Sequence, residues 1–151
     1  SDAINNLFQH ANTGPFICRQ LIQRFVTSNP SPGYIARVAA VFDANKSNPE
    51  QMKPVIKAIL LDAEARDPLM MAEEEFGKQR EPYLRIANIA KAFRASAPNG
   101  KFELRYLDYA AAQRPLNSPS VFNFYLPDYQ PPGELASRNL YGPEFQITND
   151  I

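Results

Sequence analysis

The chain has 151 residues, 16 basic against 16 acidic, and is 44% hydrophobic. That length suits one domain burying about 68–70% of its unfolded surface, so a core needs neither disulfides nor metal. The balanced charge removes the simplest case for nucleic acid, which needs a basic face. One cysteine, Cys18, excludes an intrachain disulfide, and no apolar run of roughly 18 residues is present to span a membrane.

Prolines are in excess, 14 in all, or about 9% where about 5% is usual. Seven of them, with nine of the 17 aromatics, fall in the last 54 residues. Two textures follow: a helical bundle over 1–97 and a Pro/aromatic-rich stretch over 98–151 packed on it as an irregular wrap.

Ser1-Asp2-Ala3-Ile4 has neither a basic nor an apolar leader segment. With no initiating Met, a processed or excised chain is expected. A short first helix places Ile4, Leu7 and Phe8 on one face, with Asp2 as its cap. Thr13 and Pro15 then signal a new start, and Cys18, Leu21, Ile22 and Phe25 form an apolar stripe. Asn29 precedes Pro30 and ends that helix. Ser31-Pro32 repeats the cap-and-proline start, with Tyr34, Ile35, Val38, Val41 and Phe42 inward. A fourth helix covers about 49–62, with Met52, Val55, Ile56, Ile59 and Leu60 inward. Pro54 must lie in its first turn, because an interior proline costs about 3 kcal/mol. A further turn is expected over 62–67 before Pro68. Glu73-Glu74-Glu75 reads as a solvated run. Glu81-Pro82 opens a helix to about Ser96, and Asn99-Gly100 is a turn.

Beyond that point helical register is expected over 102–113 and in short pieces over 118–124 and 133–139. A strand at 122–126 is the competing reading of one stretch.

Chemistry-bearing residues are sparse. His10 is the only histidine, so neither a zinc site nor a Ser–His–Asp triad is expected, and no metal or cofactor is implied. His10 reads as a helix-end residue and Cys18 as a small core hydrophobe. The glycines are scattered, with no phosphate-binding loop. Arg19, Arg24, Arg80 and Arg114 suit carboxylate pairing, and Asp62 or Glu81 could pair with Arg80 or Arg85. The carboxylates Glu81, Asp108, Asp128, Glu134 and Glu144 stand among aromatics or beside prolines. Paired carboxylates can run glycoside chemistry; Asp128 and Glu134 are the pair such a hydrolase would use. Tyr106, Tyr109, Phe122, Phe124, Tyr125, Tyr129 and Tyr141 offer flat amphipathic faces, either as a binding surface for a protein or polysaccharide or as plugs of an irregular core.

Several stretches together resemble a known family: Asn12-Thr13-Gly14-Pro15-Phe16-Ile17-Cys18-Arg19-Gln20-Leu21-Ile22-Gln23-Arg24-Phe25-Val26, Ala58 to Arg66, Gly77-Lys78-Gln79-Arg80-Glu81-Pro82, Ser118 to Tyr125, Asp128 to Glu134, and Pro143 to Thr148. The chain is similar, over nearly its whole length, to the C-terminal part of large bacterial proteins grouped as domain of unknown function 1800. That resemblance implies a piece of a longer chain, with the remainder as a partner, and export to the periplasm or outside. It brings no catalytic residue. The resulting expectation is a mostly α, irregular helical bundle, serving as a non-enzymatic binding or assembly module. The alternatives are a carboxylate-based hydrolase and a purely structural helical fragment.

Overall fold

The computed structural model describes residues 2–102, 109 and 111–148. The architecture is mostly α, with no strand among the described residues. The chain divides into two compact units, Ser1–Lys78 and Gln79–Ile151. The change of texture near residue 97 thus lies inside the second unit.

The first unit is built from α1 (Asp2–Gln9), α2 (Thr13–Phe25), α3 (Pro32–Ala44), α4 (Met52–Leu61), the one-turn α5 (Ala63–Arg66) and a 3-10 turn (Pro68–Ala72). Its core joins the apolar stripes of α2, α3 and α4: Cys18 and Ile22, Tyr34, Val38 and Phe42, and Val55 and Ile59 are all buried. Gly14 lets α2 approach α3, since a Cβ there would stand 3.1 Å from Asp43 Oδ1 and 3.4 Å from the Phe42 ring. The one polar atom of Tyr34 is satisfied inside the core by donating to the Ile59 carbonyl at 2.5 Å.

The caps follow the expected chemistry in part. Ser31 caps α3, its hydroxyl accepting from Tyr34 N at 3.0 Å, with Pro32 in the first turn. Pro54 lies in the first turn of α4. Asp62 caps α5 through Glu64 N, and Asp67 caps the 3-10 turn through Leu69 N, each at 2.9 Å. Thr13 differs: it lies inside α2, and its hydroxyl turns back to donate to the Leu7 carbonyl. Of the expected inward set, Ile4, Leu7, Phe25, Met52 and Leu60 are exposed. On α1, α2 and α4 the apolar stripe is wider than the face the helix buries.

The C-terminus of α2 is closed from a distance. Lys78 Nζ donates to the Gln23 and Arg24 carbonyls at 3.0 and 2.9 Å, a cation placed where the helix dipole favours one. Beside it Gly77 N donates to Thr27 Oγ1, and the Gly77 carbonyl accepts from Ser28 N. Gly77 has φ +119, which only glycine adopts without strain.

Among its described residues the second unit contains α6 (Pro82–Ala92), helical residues at Tyr109 and Ala111, α7 (Glu134–Ser137) and a 3-10 turn (Pro143–Ile147), with turns and bends over much of 112–133. The helix beginning at Pro82 is shorter than expected. Arg94 takes the left-handed conformation and Ala95 N donates to the Ala90 carbonyl, ending α6 in a Schellman-type closure. Asn139 and Leu140 close α7 in the same way. Neither the helix over 118–124 nor the strand over 122–126 forms; turns and one isolated bridge, Ser120 to Asn123, take their place. Asn123, at φ +73, interrupts both kinds of regular structure. The helix expected over 102–113 falls largely outside the described residues.

Candidate functional site

The most organised polar constellation lies in the second unit. Pro82 begins α6 and forces the preceding Glu81 into an extended conformation. Glu81 therefore does not cap its own helix; its side chain is free to turn inward. The vacant capping role at Tyr83 N is filled by Gln113 Oε1, which accepts at 3.0 Å. The other end of the same amide, Nε2, donates to Glu81 Oε2 at 2.7 Å. Tyr125 completes the arrangement: its hydroxyl donates to Glu81 Oε1 at 2.7 Å, with Glu144 Oε1 3.4 Å away. Glu144 reaches this point because Pro143 starts the 3-10 turn that carries it. Tyr125, Glu81 and Glu144 are 6%, 8% and 2% exposed.

Two carboxylates within reach of one phenol are familiar in hydrolytic chemistry, but here all three side chains are interior. A substrate would have to displace packed protein to reach them. The arrangement acts as a clasp, tying the start of α6, the chain at Gln113, the loop at Tyr125 and the 3-10 turn at Glu144 into one unit. Its only advance signal in the sequence was that both glutamates flank prolines.

Asp128 and Glu134 are both exposed, and the Glu134 carboxylate faces Arg138 Nη1 at 3.9 Å. Neither has the desolvated setting in which a carboxylic acid serves as a general acid. Among the aromatics, Tyr109 is exposed, Phe124, Tyr129 and Tyr141 are half-buried, and Tyr125 is interior. Tyr106 lies outside the described residues. Tyr129 and Tyr141 are held near each other by the bond from Gly142 N to the Tyr129 carbonyl, 2.9 Å. Gly142 is required there, because a Cβ would stand 2.8 Å from the Phe145 ring.

One further surface includes Phe122 from the aromatic set together with two residues, Leu116 and Val121, that the sequence did not single out. In the loop between Pro115 and Asn123, Leu116 and Val121 are almost wholly exposed and Phe122 is 40% exposed. The loop is nevertheless shaped: Phe122 N donates to Ser120 Oγ at 3.1 Å, Asn123 N donates to the Ser120 carbonyl, and Asn117 N donates to the Arg114 carbonyl. Its ends, Leu116 and Asn123, both have positive φ. Aliphatic side chains in an irregular loop carry no periodicity, so no pattern reveals them.

In the first unit His10 Nδ1 accepts from Asn12 N at 3.1 Å, a helix-end role. Cys18 is fully buried, and desolvation, with a smaller contribution from Asp43, pushes its thiol up to about 11. Asp62, instead of meeting Arg80 or Arg85, is held by Arg37 through two bonds of 2.8 and 2.7 Å. No cluster of three or more metal-ligating side chains occurs among the described residues, and no helix among them is long and apolar enough to cross a membrane.

Residues 1–150 match the model described as Protein of unknown function (DUF1800), and the chain belongs to that family. No curated protein and no solved structure matches it.

Proposed function

We propose that the chain is a non-enzymatic binding or assembly module of an exported bacterial protein, and that it binds a partner protein through its second unit. The observation that carries this reading is the loop exposing Leu116, Val121 and Phe122 on a backbone fixed by its own hydrogen bonds. Surface loops often carry binding function, and strongly exposed apolar side chains on such a loop suit a protein partner. A polysaccharide platform would call for exposed aromatic rings, and Tyr125, one of its candidates by sequence, faces inward. Export is supported by the family resemblance.

The test is site-specific photo-cross-linking in the producing cell, with the reactive amino acid at Val121 and, as control, at Glu74. The expected result is a discrete protein adduct from position 121 alone, lost when Leu116→Asp is added. Adducts equal to the control, together with glycan binding that Tyr109→Ala removes, would overturn the protein reading in favour of the polysaccharide one.

A further inference from the structure

The first unit carries another apolar surface that the proposed function leaves unused. An open cleft of about 360 Å³ lies between α3 and α4. Val38 and Val41 line it from α3, and Pro54, Ala58 and Leu61 from α4. Residues 54, 58 and 61 stand at i, i+4 and i+7, so the lined wall runs about 10 Å, two helical turns. The cleft persists because Ala58 is small where a longer side chain would fill it. Leu61 rises at its lip, 59% exposed.

The charges at its edge are unequal. Arg37 is already engaged by Asp62 through two hydrogen bonds. Lys57, on the rim, is exposed, and its side chain has no ion pair or hydrogen bond among the described residues. What remains is an apolar trough of two turns with one uncompensated positive charge beside it. Troughs between two helices receive the apolar face of a third, read at i, i+3 or i+4, and i+7, and a cation at the rim selects an anionic neighbour.

We infer that the α3–α4 cleft docks an amphipathic helix of a partner protein, one presenting two turns of aliphatic side chains with a Glu or Asp placed to meet Lys57. The probes are two fluorescent stapled helices of roughly four turns, long enough to hold their shape. Both carry the same leucine row, one flanked by Glu and the other by Lys. Titrated into the intact chain at low salt and followed by anisotropy, the Glu-flanked helix binds about three- to tenfold more tightly, the discrimination one rim charge supplies. Lys57→Glu reverses the order, and Ala58→Glu removes binding of both. Lys57 is exposed, so its substitution leaves folding intact, which a thermal melt verifies; the charge reversal therefore decides the matter even where Ala58→Glu misfolds. Equal affinities, no binding of either helix, or an unchanged preference in Lys57→Glu would overturn the inference. So would self-association of the chain abolished by Ala58→Glu, which would give the cleft to a second copy.

Discussion

A phenol buried in a protein must give its hydrogen to something, and Tyr125 gives it to Glu81 at 2.7 Å. Removing that donor leaves a carboxylate oxygen short of a bond inside the protein, which costs about 1–3 kcal/mol. Tyr125→Phe is therefore expected to lower the stability of the chain by that amount in urea unfolding while leaving helix content by circular dichroism unchanged. Asp62 makes a smaller and pH-dependent contribution. The hydrogen bonds from Arg37 hold its carboxyl below the ordinary carboxylate value, against the opposing effect of desolvation. A carboxyl depressed on folding stabilises above its unfolded pKa, about 3.9, and loses that contribution as pH falls through the folded value. Asp62→Asn keeps an oxygen to cap α5 but loses the charge. Since Arg37 is half-exposed, the deficit at neutral pH is about 1 kcal/mol or less. It is expected to shrink as the wild type is titrated below about pH 4.

Among the elements, the return of Gly77 and Lys78 to the end of α2 is the connection most dependent on backbone shape. A Cβ at Gly77 meets nothing within 4 Å, so Gly77→Ala strains only the φ of +119, at a cost of about 1–3 kcal/mol. Gly77→Val, branched at Cβ, is expected to cost more than Gly77→Ala in a thermal melt, and equal effects would show that the conformation is not what matters. The legibility of the elements divides along similar physical lines. Helices α2, α3 and α4 were readable because Pro15, Ser31-Pro32 and Pro54 mark their starts locally and their stripes recur at helical spacing. The early end of α6 was not, because Arg94 adopts a left-handed conformation that no residue preference signals. Nor was the clasp, since Glu81, Gln113, Tyr125 and Glu144 come from distant points of the chain and meet only through turns. Cys18 and His10 were legible in their structural roles; the exposed Leu116 and Val121 were not.

Over the whole molecule, the two units rest on different kinds of interior. The first has a continuous apolar core shared by three helices. Among the described residues the second buries Pro82, Ala111, Tyr125, Leu140 and Pro143 together with the hydrogen-bonded Glu81, Gln113 and Glu144, so polar groups are part of what it buries. Apolar burial of this kind resists opening better than irregular chain with few apolar contacts. Hydrogen exchange is accordingly expected to be slowest at amides of α2, α3 and α4, and faster by at least about an order of magnitude in the chain around α7. The reverse order would mean that the clasp, rather than the helical core, is the more stable centre.

Cys18, sealed in the core of the first unit, gives the molecule a built-in clock. It is the only thiol in the chain, and a thiol raised to about 11 stays protonated near neutral pH. A disulfide reagent can then react only in the fraction of time that α2 parts from α3 and α4. The reaction rate counts those openings in the unlabelled native protein. Binding at the α3–α4 cleft would slow the clock.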